Sequence, residues 1–136
     1  MSLAKAMLDT NIVSALLRSP LVGPVRDRLV AFGPERVCIS IVTSAEIQFG
    51  FAKRPSARLE RNLGLLLSSM PILAFEPPAD LRYGEIRAEL ERRGTVIGAN
   101  DLLIAAHALA LDLPLVTDNI REFSRVPDLR VENWLD

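Results

Sequence analysis

The chain has 136 residues, 49% of them apolar, with a formal net charge of −1. These totals suit one folded domain, 1–136, and leave no general electrostatic case for nucleic-acid binding. A lone cysteine, Cys38, excludes an internal disulfide framework, and the longest apolar run, Leu102 to Leu111, is too short to cross a bilayer. A reducing, cytoplasmic setting without a membrane is expected.

An apolar approach, Leu3 to Leu8, delivers Asp9 to a turn. Ile12, Val13, Leu16 and Leu17 then recur at helical spacing. Asp9 is therefore placed at a strand's carboxyl end, where open α/β sheets bind ligands. Helix capping by Asp9, Thr10 or Asn11 is the simpler account of these residues taken alone. Pro24 suits the first turn of a second helix carrying Val25, Leu29 and Phe32, and Gly33-Pro34 ends it. Val37-Cys38-Ile39 reads as a buried parallel strand. Ser40 then caps a helix to about Lys53, with Val42, Ala45, Phe49 and Ala52 as its apolar face.

Past Pro55, Leu59, Leu63, Leu66, Leu67 and Met70 form the stripe of another helix, and Ile72 to Phe75 is a third strand. Three successive leucines, Leu65 to Leu67, cannot all face one core, so an interface is plausible on that helix. Pro77-Pro78 starts a helix with Ala79, Tyr83, Ile86 and Leu90 inward and a solvated charged face; Gly94 ends it. Gly98 to Asp101 introduces a helix apolar nearly all round, which belongs in the centre. Leu115 to Thr117 is a fourth strand ending in Asp118 and Asn119. Ile120 to Phe123 makes one helical turn, and Leu129 to Trp134 adds an edge strand. Strands alternating with helices predict an α/β/α sandwich around a mostly parallel sheet of four to five strands.

Among the acidic residues, Asp9, Glu46, Asp101 and Asp118 stand apart from charged helix faces and loops. If the strands are parallel neighbours, all four gather at one sheet edge. Two unit charges at about 4 Å repel by ~4 kcal/mol at an effective dielectric of about 20. Either some of the carboxyls are protonated or a divalent cation neutralises them. Oxygen ligands favour Mg²⁺ or Mn²⁺, and one His with one Cys disfavours zinc. His107, set among alanines, reads as a core histidine rather than a general base.

With these residues in place the chain resembles the PIN-domain nucleases, and specifically the VapC-type toxins of bacterial toxin–antitoxin pairs. The matching pieces are Met7 to Ile12, Ser40 to Thr43 running into Glu46, Gly98 to Asp101 with Leu103 to Ala108, and Val116 to Asn119 with Arg121 to Phe123. The resemblance implies a metal-dependent endoribonuclease that stops translation until a cognate antitoxin blocks it, commonly as a homodimer. It implies Asp9 and Asp101 as principal metal ligands, Glu46 as the third acid, and Asn11 and Thr43 as polar supports. Asp118 and Asn119 share the fourth place, because many relatives carry their acid or Asn two residues after the Thr. One or two Mg²⁺ ions, an RNA substrate such as tRNA or rRNA, and phosphate contacts from Arg87, Arg92, Arg93 and Arg121 complete the expectation.

Two other classes compete. A phosphotransferase with Asp9 as nucleophile wants a second Asp where Asn11 stands. A non-cutting binding module would keep metal affinity without cleavage.

Overall fold

The computed structural model describes residues 4–135. Five strands form one sheet in the order β3-β2-β1-β4-β5, every neighbouring pair parallel. They are β1 (Ala6–Leu8), β2 (Val37–Ser40), β3 (Ile72–Leu73), β4 (Leu115–Val116) and β5 (Val131–Glu132). The helices are α1 (Thr10–Arg18), α2 (Pro24–Phe32), α3 (Ile41–Lys53), α4 (Ala57–Leu67), α5 (Ala79–Arg93), α6 (Ala99–Ala110) and α7 (Ile120–Phe123).

Period-two alternation along the strands divides the core into two layers. Ala6 and Leu8 of β1 and Val37 and Ile39 of β2 pack with α1, α2 and α4. Met7 and Cys38 point the other way, onto Ile86 and Leu90 of α5 and the apolar face of α6. Both faces are covered, as a parallel sheet requires. Burial pushes the Cys38 thiol up to about 12, so it serves as a small apolar side chain. β5 holds its short edge through Trp134, which is buried with its ring 5.4 Å from that of Phe32. Gly94, at φ 69°, ends α5 in the left-handed turn, and the Thr95 amide bonds back to the Leu90 carbonyl at 2.9 Å.

Register positions the site. Leu8 lies opposite Ile39 on one side and Val116 on the other, so Asp9, Ser40 and Thr117 come level at one sheet edge. From β1 the chain builds outward to β2 and β3, then crosses back to place β4 on the far side of β1. The reversal opens a crevice between the carboxyl ends of β1 and β4.

One sequence expectation changes. The row Ala45, Phe49 and Ala52 of α3 faces outward, with Phe49 67% exposed, while Thr43, Ser44 and Ile47 are buried. Hydropathy favoured Phe and Ala, but the short polar side chains fit against the sheet edge and α1. The stripe of α4 and the following Met70 pack inward as expected, and Leu65 stands 74% exposed, so the three successive leucines do not share one core.

Candidate active site

Asp9 occupies the N-cap position of α1 with its backbone alone: its side chain accepts no capping hydrogen bond. The carboxylate instead turns into the crevice, 3% exposed. Oδ2 accepts from the Thr117 hydroxyl at 2.8 Å, whereas buried Oδ1 has no partner of normal hydrogen-bond geometry among the described residues. The capping account therefore fails. Burial raises the Asp9 pKa, and the Thr117 hydroxyl and Thr10 backbone offset part of that rise. Glu46 and Asp118 add repulsion from either side.

Asp101, in the first turn of α6, is pushed up to about 7. Burial is the largest cause, followed by a hydrogen bond with Glu122 and the charges of Asp9, Glu122 and Glu46. Glu122 is the acid that sequence reasoning passed over. It sits on the single-turn α7, and Asn119 Nδ2 holds its Oε2 at 3.0 Å. Its signal was faint: a polar turn after a strand is an ordinary place for a charge.

Glu46 projects from α3 toward α1. Its Oε1 accepts a short hydrogen bond from the Thr10 hydroxyl, and Asn100 Nδ2 reaches Oε2 at 3.2 Å. The buried Thr43 hydroxyl lies 3.4 Å from that of Thr10. Asn11 Nδ2 donates to Asp118 Oδ1 at 3.2 Å, which holds the exposed Asp118 at the rim beside Asp9. The Asn119 amide donates to Thr117 Oγ1 at 3.0 Å, which leaves the Thr117 proton for Asp9. Asp9, Glu46, Asp101 and Asp118 thus share one edge with Asn11, Thr43 and Asn119. Thr10, Asn100, Thr117 and Glu122 complete the set.

No Arg or Lys among the described residues forms an ion pair with any of these acids. His107 stays out of the group: buried behind it, its Nδ1 lies 2.7 Å from the Ser40 hydroxyl. That hydroxyl also caps α3 through the Val42 amide. Of the arginines expected near the crevice, Arg87 pairs with Glu91, and Arg92 and Arg93 pair with Glu89. Those three belong to the solvated face of α5.

The donor set is all oxygen, carries excess negative charge and includes one buried oxygen without a partner. That chemistry fits a hard divalent cation. Among the described residues no three acidic, His or Cys side chains form a ready-made cage. Mg²⁺ needs none, since it keeps several waters and binds through one or two carboxylates with substrate phosphate.

Comparison with known proteins adds the family. Residues 6–129 match the model of the PIN domain. The chain is 44% identical to Ribonuclease VapC2 of Rickettsia felis over 132 residues, covering 94% of this chain and 96% of that protein. It is 38% identical to the tRNA(fMet)-specific endonuclease VapC of Salmonella typhimurium over 133 residues, 96% of this chain and 98% of that one. Among solved structures, VapBC2 of Rickettsia felis bound to a promoter DNA fragment aligns with TM-score 0.87 at 37% identity, covering 95% and 98%. DNA-bound VapBC of Salmonella typhimurium aligns with TM-score 0.84 at 38% identity, covering 96% and 98%.

Proposed function

This chain belongs to the PIN-domain family and, within it, to the VapC ribonucleases, and from that premise we propose that it is a Mg²⁺-dependent endoribonuclease that cuts tRNA. It acts as the toxin of a toxin–antitoxin pair and stops translation until its antitoxin binds. Mn²⁺ can replace Mg²⁺ in such an oxygen site. The observation that carries the reading is the unpaired group of carboxylates around Asp9 and Asp101, with Asp9 Oδ1 buried and unpartnered.

Asp9 and Asp101 would hold the cation, with Glu46 and Glu122 as the neighbouring acids. When bound, the cation would supply positive charge to offset the scissile phosphate and would ease loss of a proton from the attacking water. The protein's own part is placement. Thr117 fixes Asp9; Thr10, Thr43 and Asn100 fix Glu46; Asn119 fixes Glu122; Asn11 fixes Asp118 at the rim. Each support donates to a carboxylate or aligns a donor, so these acids are held in orientation without a neutralising Arg. Such fixed dipoles need no rearrangement as charge develops on the phosphate.

The antitoxin reading rests on a second feature, an apolar groove of about 320 Å³ between α1, α2 and α4. Leu16, Leu29 and Leu66 line it, and Leu21 and Leu65 stand 81% and 74% exposed at its sides. A groove of this kind suits the apolar face of a partner helix. The solved relatives named above are toxin–antitoxin assemblies, which supports that partner. The outward row of α3, with Ile41 and Phe49 exposed, is the face we assign to a second copy of the chain.

The test is cleavage of a panel of tRNAs and rRNA fragments, with tRNA(fMet) first, and mapping of the cut by primer extension. A single metal-dependent cut in a tRNA is expected. Metal binding without cleavage of any RNA would favour a binding module.

A further inference from the structure

Outside the acidic group, a cavity of about 270 Å³ opens beside it between α1, α3 and α4. Thr10 and Glu46 line one end, and Arg18 and Arg54 line the other. We infer that this cavity is the track for the RNA strand beyond the scissile bond, with Arg18 and Arg54 holding its phosphates. The inference rests on the ribonuclease reading above and adds residues that the acidic group does not contain.

The helical geometry is what builds the track. α1 leaves the carboxyl end of β1 and α3 leaves that of β2, and the two helices pack on each other. Thr10, Ser14 and Arg18 recur every four residues along one face of α1. Glu46, Gly50 and Arg54 do the same along α3 and past its end. Each row starts at the acidic group and ends on a guanidinium eight residues later, about 12 Å along the helix at 1.5 Å per residue. Phe51 and Leu59 supply an apolar wall where a base can lie. At Gly50 an added Cβ meets nothing within 4 Å, so the floor of the track is clear.

Charge supports the assignment. Arg18 and Arg54 are exposed and form no ion pair among the described residues, in contrast to the arginines of α5. A cationic mouth on an acidic site is what a polyanion needs in order to approach it. Both arginines lie at helix C-termini, where a positive charge also offsets the helix dipole. Salt dependence separates these roles, because only phosphate contact releases counterions.

The experiment measures kcat and KM for tRNA cleavage over a range of salt in wild type, Arg18→Ala, Arg54→Ala, the double variant and Gly50→Leu. Arg130→Ala, whose arginine binds Asp112 near the opposite edge of the sheet, is the control. Each single arginine variant is expected to raise KM about three- to fivefold, and the double about tenfold or more. The slope of log(kcat/KM) against log[salt] should flatten by about 0.7 for each arginine removed. Gly50→Leu keeps a helix-forming residue in open space, so it should match or exceed wild type in thermal stability while raising KM. Cleavage by wild type with unchanged KM and salt slope in all of these variants overturns the inference and leaves the ribonuclease reading intact. Weakened antitoxin binding with unaltered RNA kinetics would assign the cavity to the antitoxin and overturn it too. Absence of cleavage by wild type would sink the underlying reading instead.

Discussion

Asp101→Asn should abolish cleavage and yet make the metal-free protein more stable. Asp101 is a carboxyl moved from its ordinary 3.8 to about 7 by burial, by Glu122 and by the neighbouring acids. At about 1.4 kcal/mol per pH unit the shift has a ceiling of ~4 kcal/mol. The site is only partly closed to water, so solvent screening reduces that to ~1–2 kcal/mol. The sign follows from linkage. A carboxyl with a raised folded-state pKa contributes its full proton-linked stability below about pH 4 and loses it as pH rises through about 7. Asparagine carries no such loss, and its amide can still donate to Glu122. In chelator at pH 8 the variant should melt about 4–8 °C above wild type, taking roughly 4 °C per kcal/mol for a domain of this size. The gap should close toward pH 4. Added Mg²⁺ should raise the wild-type midpoint and leave the variant nearly unmoved. Scanning calorimetry at pH 4, 6 and 8, with and without Mg²⁺, measures all of this. A variant no more stable than wild type at pH 8 in chelator would refute the claim that the Asp101 carboxylate is held against burial and the neighbouring acids.

Thr117→Val removes a buried hydroxyl that serves both Asp9 and the Asn119 amide. It should cost about 1–3 kcal/mol in urea unfolding, because both partners are left without their bond. It should also weaken Mg²⁺ binding by calorimetric titration, and unchanged affinity would mean that Asp9 does not depend on this support. Glu122→Gln should lower cleavage at least tenfold by removing one of the acids around Asp101. Its single-turnover rate equal to wild type would take Glu122 out of the site.

Much of this site was legible in the sequence because its acids follow apolar strands. Short apolar runs at Met7-Leu8 and Leu115-Val116 announce buried strands, and the first polar residue after each falls at the sheet edge. Asp101 was visible for the converse reason: a charge opening an apolar helix has few structural uses. Glu122 was hidden because α7 is a single turn with no periodicity to read, and only the fold brings it to Asp101. The outward face of α3 was misread because hydropathy ranks Phe49 above Thr43 and Ser44, while the space beside the sheet edge admits the shorter side chains. The spacing that pairs the α5 arginines with Glu89 and Glu91, and leaves Arg18 and Arg54 without such a partner, was present in the sequence but carried no weight in assigning the phosphate contacts. That difference depends on which guanidiniums find a Glu one helical turn away.

The claim that this acidic edge is a catalytic metal site is tested most directly by tRNA cleavage with purified wild type and Asp9→Asn, each in Mg²⁺ and in chelator. Asp9 is the most buried of the acids and owns the unpartnered oxygen. The account predicts a defined cut in one lane alone, wild type with Mg²⁺, and none in the other three. Equal cutting by Asp9→Asn, or cutting that survives the chelator, would contradict it.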